Sequence, residues 1–323
     1  MRIGKLDNDL LERIVIDKIT FRRPEVKTRP GVGEDCAVID FGAYDCVLST
    51  DPITATKERI GSLAVNVSCN DIASNGVEPL GILLSVLLPP DTTEEEIADI
   101  MEQAARAAEK IGVEIIGGHT EVTDVVLRPV ITATAVGRTK NEPSPLWTVR
   151  AGDRLIVTKT LALEGTGIIA AEYAERLATV LTPGELAEAC AMLDSISVVT
   201  DGVVAAKAGV SGMHDITEGG LLGAAWELCE LNGVGAALHS EALPVPEVTR
   251  KVCAHFGIDP LRLISSGSML IAAPEETAGA VLASLAEAGI PATEIGAVTD
   301  RATGVRLDGA EIAPPESDEI YRV

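Results

Sequence analysis

The chain has 323 residues, of which 46% are hydrophobic and 2% aromatic, so Ala, Val, Ile and Leu must fill its cores. Its 49 acidic residues outweigh 26 basic ones for a net charge of −23, which repels phosphate backbones and anionic lipid and excludes nucleic-acid or membrane binding as the main role. The length suggests about two domains.

The start, MRIGKLDNDLLERIV, reads as an amphipathic helix and not as a signal peptide. Strand signals follow at 45–50 (DCVLST) and 80–88 (LGILLSVLL), with a helix at 58–75 between them. A second helix spans 93–111, capped by Thr92 or Thr93, acidic in its first turn and stopped by Gly112. Strands at 113–116 and 125–137 complete this half. Two prolines in Asn141-Glu-Pro-Ser-Pro-Leu146 mark a linker, dividing the chain into domains 1–142 and 147–323. The second half offers strands at 153–159 and 269–273 and helices at 167–179, 183–193 and 219–231. An echo joins the halves: LLPPDTTEEEIADIMEQAARAAEKIGVEII and LIAAPEETAGAVLASLAEAGIPATEI both read strand, proline, acidic helix start, strand. Paired strands with interspersed helices predict two α+β domains.

The longest apolar run, 80–90, is too short to cross a bilayer. Six cysteines without C-x-x-C or zinc-ligand spacing are read as free thiols in a reducing cytoplasm.

There is no Walker-type phosphate loop. The sequence Gly165-Thr-Gly167-Ile-Ile-Ala170 fits a dinucleotide fingerprint only if a second strand and an acid follow, and ERLATVLTPGELAE reads as helix instead. The carboxylates are more telling. Glu34-Asp35 sits between a glycine turn and an apolar strand, Asp51 ends the strand at 45–50, and Asp71 is the only carboxylate between Gly61 and Gly76. An uncompensated acid on an apolar helix costs several kcal/mol. A cap or salt bridge is the ordinary remedy for any one of them. Three within forty residues favour a hard cation, Mg²⁺ above all, with phosphates beside it. Gly117-Gly118-His119-Thr120-Glu121 follows the strand VEII, and His214-Asp215-Ile-Thr-Glu218-Gly-Gly220 introduces a helix, by its position either a cap or an anion site.

Taken in order, GVGEDCAVI, STDPI, LAVNVSCNDIASNGVEPL, GGHTEV, AGDRLIVTK and MHDITEGGLLGA resemble the superfamily of aminoimidazole ribonucleotide synthetase, selenophosphate synthetase, thiamine monophosphate kinase and HypE. DPLRLISSGSMLIA and IGAVT are similar to its HypE end, the hydrogenase-maturation branch. The resemblance implies a PurM-like, AIR synthase-related enzyme of ligase, dehydratase or phosphotransferase type. Its N-terminal ATP-binding domain would pair with its mate to form a shared β-barrel in a homodimer, and its C-terminal domain would be an α+β sandwich.

By motif position, Asp35, Asp51, Asp71 and Asp215 would hold Mg²⁺. Thr50, Asn70, Gly117, Gly118 and Thr120 would line the ATP site, and His119, Glu121 and Glu218 would supply catalytic groups, with Glu34 nearby. ATP would activate an amide or carbonyl oxygen of a small or carrier-bound substrate, with a maturation protein as a further partner. Two alternatives accompany this reading: a small-molecule kinase similar to thiamine monophosphate kinase, and a non-catalytic nucleotide-binding scaffold.

Three departures stand out. The usual Asp-Asp is Glu34-Asp35 here, and no cysteine follows Cys253 in the tail PPESDEIYRV. The cyanide-forming step of HypE, which needs a C-terminal cysteine, is therefore not expected. Lys5 stands alone in IGKL, with no cysteine of the selenophosphate synthetase kind beside it.

Overall fold

The apolar helix read at 58–75 organises the molecule. In the computed structural model, which describes residues 4, 6, 8–54, 56–141, 148–315 and 317–323, it runs from Ile60 to Ser74 with nearly every side chain buried. Lys5, residues 142–146 of the proposed linker and residue 147 lie outside the described residues.

In chain order the first half contains α1 (Asn8–Ile14), β1 (Val26–Thr28), β2 (Ala37–Asp40), β3 (Tyr44–Ile53), α2 (Ile60–Ser74), β4 (Pro79–Leu88), α3 (Glu94–Ile111), β5 (Glu114–Val122) and β6 (Val130–Lys140). Its six strands form one sheet in the order β1-β2-β3-β6-β4-β5. All neighbours are antiparallel except β4 and β5, which are parallel because α3 carries the chain back between them. Thr93 is the cap of α3, in a reciprocal capping box with Glu96, and Gly112 ends the helix in the left-handed conformation.

The second half contains β7 (Arg154–Thr158), α4 (Leu163–Glu172), α5 (Ala174–Leu177), α6 (Pro183–Ala191), α7 (Val199–Ala208), β8 (Gly212–Asp215), α8 (Gly220–Asn232), β9 (Val234–Leu238), α9 (Glu247–Phe256), β10 (Met269–Ala273), α10 (Glu275–Glu287), β11 (Ala292–Asp300), β12 (Val305–Leu307) and β13 (Ala310–Glu311). Its seven strands run β13-β12-β9-β11-β7-β10-β8. The echo between the halves is a shared chain path with different pairing. β4 and β5 pair directly, whereas β10 and β11 flank β7 and both run antiparallel to it. Two α+β halves with one sheet each is the fold class expected.

Three sequence readings shift. The strand at 113–116 continues to Val122, so GGHTE lies within a strand and not after it. The strand read from 125 starts at Val130, leaving Val125 and Leu127 exposed in the turn before it. The helix read at 167–179 starts at Leu163 and breaks at Tyr173. Gly165 and Gly167 are glycines for packing space: a Cβ would lie 2.4 Å from Leu263 and 2.5 Å from Leu193. With β7 antiparallel to both neighbours, the dinucleotide reading has no strand–helix–strand unit to stand on.

Helix α2 packs against α3, β3 and β6 on its own side and against α7 of the second half. At that last contact Gly202 gives the clearance, since a Cβ there would meet the Ala73 carbonyl oxygen at 2.3 Å. The core around α2 takes in Ile168, Leu193, Ile196 and Val199 from the second half, so the two halves share packed side chains. The six cysteines are all free. Among the described residues no single helix is long and apolar enough to cross a membrane.

Candidate active site

Alternation along β3 puts Ser49 and Asp51 on one face, towards α2. The Ser49 hydroxyl donates to Asp71 Oδ2 and lies 3.4 Å from Asp51 Oδ2. Asp71 projects from α2 and is 5% exposed, with its backbone carbonyl accepting from the Ser74 hydroxyl and the Cys36 thiol. Asp35 comes from the turn before β2. That turn leans on α8 of the other half: a Cβ on Gly33, at φ +82°, would lie 3.3 Å from the Glu227 carbonyl. Asp215 ends β8, buried next to His214. The structure thus brings Asp35, Asp51, Asp71 and Asp215 together from both halves of the chain.

Their electrostatics follow from burial. Asp71 is held well above the usual carboxylate range, first by burial and then by Asp215, Asp51 and Asp35. Burial and Asp35 push Asp215 up to about 7, with His214 pulling the other way. Glu34 also rises to about 7 through burial and the charge of Asp35. His214 is the counter-ion. Its Nε2 lies 3.4 Å from Glu227 and 3.7 Å from Asp35, while Nδ1 meets the Asp215 carbonyl at 2.7 Å. Burial alone would lower its pKa, but Asp35 and Glu227 outweigh that and raise it to about 10.

A divalent cation suits this set. Four carboxylates supply the hard oxygen donors Mg²⁺ prefers, and Asp215 Oδ2 is buried with no hydrogen-bond partner. Asp35, His214 and Asp215 also place ligand atoms within 4.8 Å of one another.

Asp35, Asp51 and Asp71 line an open cleft of about 630 Å³, together with Glu34, Thr50, Glu164, Glu218, Ser266 and Tyr321. Arg128 is the one basic residue lining it among those described. Thr50 is fixed by bonds to the Ala133 carbonyl and the Thr134 hydroxyl. Glu218 accepts from the Tyr321 hydroxyl at 2.7 Å.

The other expected residues lie elsewhere. Asn70 faces the second half, donating to the Ile196 carbonyl (2.9 Å) and accepting from the Val198 amide (2.8 Å), so its amide is spent on joining the halves. Gly117, Gly118, His119, Thr120 and Glu121 lie along β5, the exposed edge of the first sheet, and do not line the cleft. His119 and Glu121 meet there at 3.2 Å, both more than half exposed. Gly118 is a packing requirement, because a Cβ at its φ of +145° would fall 1.9 Å from the Leu84 carbonyl oxygen.

Sequence reading missed His214 as counter-ion, Ser49 as the link between Asp51 and Asp71, and Glu164 and Glu227 as buried acids. Glu164 and Glu227 had a usable signal: each sits in an otherwise apolar helix segment, LEGTGIIAA and LLGAAWELC. For Ser49 and His214 the signal was tertiary only.

Residues 33–139 match the model of the AIR synthase related protein N-terminal domain, and residues 150–308 match that of the C-terminal domain. The carbamoyl dehydratase HypE of Rhodobacter capsulatus is 30% identical, over 94% of this chain and 89% of its own length. A crystal structure of hydrogenase maturation protein HypE in complex with ATP superposes with a TM-score of 0.73 at 23% identity, over 99% of this chain and 97% of that one. Thiamine monophosphate kinase from Aquifex aeolicus superposes with a TM-score of 0.70 at 22% identity, over 87% of this chain and 93% of that one.

Proposed function

The chain belongs to the family of AIR synthase related proteins, and from that premise we propose that it is a HypE-like enzyme that uses ATP and Mg²⁺ to activate an amide or carbonyl oxygen by phosphorylation. The observation that carries this reading is the convergence of Asp35, Asp51 and Asp71 on one open cleft, with Asp215 buried against them. Phosphoryl transfer asks little covalent chemistry of a protein. It asks for positioning and for neutralisation of phosphate charge, and Mg²⁺ supplies the second when bound.

The four aspartates would hold the ion, with Ser49 orienting Asp71 and Asp51, and His214 limiting the repulsion among them. Arg128 would meet phosphate oxygens from the turn before β6. ATP as co-substrate is supported by the HypE relative whose structure holds it.

The strand β5 supports a homodimer. It is an uncovered edge with Ile116 and Val122 53% and 56% exposed, a combination that soluble proteins ordinarily pair or cover. Pairing through β5 would build a barrel across two copies and bring Gly117, Gly118, His119, Thr120 and Glu121 to the shared boundary. The domain limits 1–142 and 147–323, a maturation partner and a cytoplasmic location remain part of this proposal.

The similarity to thiamine monophosphate kinase favours one second reading, a small-molecule kinase. Mg²⁺-dependent release of phosphate from γ-labelled ATP separates the two, screened against carbamoyl phosphate, small amides and thiamine monophosphate. Acceptor-stimulated phosphate release supports the proposal, and label moving onto the acceptor means a kinase. Tight binding without turnover by any acceptor would leave a scaffold in its place.

A further inference from the structure

The cleft has a second acidic end, unlike the first. Glu164, in the first turn of α4, is 3% exposed and lines the cleft, and its Oε2 has no hydrogen-bond partner. The groups around it are Ser266, Glu218, Asp318 and Tyr321. No cation is among them: burial raises Glu164 to about 7 and Asp318 and Glu218 raise it further, while hydrogen bonding of the carboxyl to the side chain and backbone of Ser266 lowers it and leaves Oε2 as the unpartnered oxygen. The aspartate end has His214; this end has no equivalent among the described residues.

The placement of Glu164 is built and rigid. Ala162, the residue before α4, adopts φ +59° while fully buried, a conformation that costs about 1 kcal/mol or more in a non-glycine residue. The segment is laced to residues 264–268: the Ala162 amide donates to Ser265 Oγ (2.7 Å), the Gly165 amide to the Ile264 carbonyl (3.0 Å), and Ser268 Oγ to the Thr160 carbonyl (2.7 Å). Behind it, Asp318 accepts from the amides of Gly219 and Ile264 and so fixes the last turn of chain, which carries Tyr321 into the cleft. A buried carboxyl oxygen held this firmly without a partner is costly in the free protein, and a ligand that donates to it removes that cost.

We infer that Glu164 is a specificity-determining residue that recognises the acceptor, and that the acceptor presents it with an N–H or O–H donor and carries no negative charge. Glu218 lies beside Glu164 and is already bonded to Tyr321, so the same end repels carboxylate and phosphate-monoester acceptors. This inference rests on the proposed reading of the cleft as the site of an ATP-dependent activation, and it narrows the class of acceptor.

The test is titration of guanidinium, acetamide, acetate and methyl phosphate, followed by NMR, into the wild type, Glu164→Gln and Glu164→Leu, with and without Mg²⁺ and a non-hydrolysable ATP analogue. Guanidinium and acetamide should bind the wild type better than either anion does. Glu164→Gln should weaken guanidinium at least about tenfold and acetamide less, since the amide keeps an acceptor oxygen; Glu164→Leu should abolish both. The glutamine variant is close in shape and relieves a buried unpartnered carboxyl, so it should melt no lower than the wild type. Anions binding as well as acetamide, no probe binding at all, or affinities unchanged in Glu164→Gln would each overturn the inference. Failure of the ATP analogue to bind would remove the proposed function instead, while the arms without nucleotide still report on Glu164.

Discussion

The carboxylates before β4 and the GGHTE motif after it belong to the same half of the chain, yet they meet opposite fates. Asp35, Asp51 and Asp71 end in a shared cleft, buried or half-buried, where Asp35 and Asp51 raise the cost of ionising Asp71. His119, Thr120 and Glu121 lie in the open on an edge strand. One region, the acidic cluster, is assembled from a single chain. The other has value for catalysis only if something covers it. A motif therefore gives the identity of a residue but not the number of chains needed to assemble its site.

The sharpest way to break this contrast is Asp71→Asn. It removes a buried carboxylate held well above the usual range and the charge repulsion that accompanies it. Mg²⁺- and ATP-dependent phosphate release should fall by at least about a hundredfold, while the metal-free melting temperature stays level or rises. A marked drop in melting temperature without metal would mean that Asp71 is a structural acid. A second experiment asks whether β5 completes a neighbour's site. Asp71→Asn and His119→Ala subunits, each weak alone, are unfolded together and reassembled. If sites are shared between copies, a hybrid dimer carries one intact site and a 1:1 mixture regains about a quarter of wild-type activity by random pairing. No regain would return β5 to a purely structural role.

How far the sequence carried these regions follows from the kind of signal each residue gave. Helix α3 was legible down to its cap, because the capping box and the Gly112 stop are local chemistry. Helix α2 was legible as buried, and Asp71 as anomalous on it, because charge is otherwise missing from Gly61 to Gly76. Helix α7 and strands β8 and β9 went unread, since short apolar segments such as GVVAAKAG satisfy either period. From sequence, Asn70 is assigned to the ATP site by its position in the family motif. Its actual partners, Ile196 and Val198, are more than a hundred residues away, and no local pattern announces them. The pairing of His214 with Asp35 was hidden for the same reason.

Asn70 offers the next smaller effect. Asn70→Ala strands the buried Val198 amide and Ile196 carbonyl, which should cost about 1–3 kcal/mol in unfolding free energy by denaturant titration. A change near zero would mean that water or a shift of α7 replaces the amide, and the junction between halves would be softer than it looks.

The smallest effect is a slope. In the metal-free protein Glu34 and Asp215 are pushed up to about 7 from ordinary values of 4.5 and 3.8. Each is favoured in its protonated form by folding, so the stability it lends is full below about pH 4 and is lost as pH rises through about 7. His214, raised to about 10 from 6.5, acts in the same direction, since its contribution is full below about 6.5 and fades towards 10. Surface acids such as Glu185, lowered to about 2 by Lys251 and by Thr182, change their contribution below the window of interest. The melting temperature in chelator should therefore decline steadily between pH 5 and 8. Mg²⁺ binds the ionised carboxylates, so it should restore stability most at the upper end and flatten the decline. A melting temperature that rises from pH 5 to 8 without metal would mean that the cleft acids are already compensated within the chain, and the case for a cation among them would fail with it.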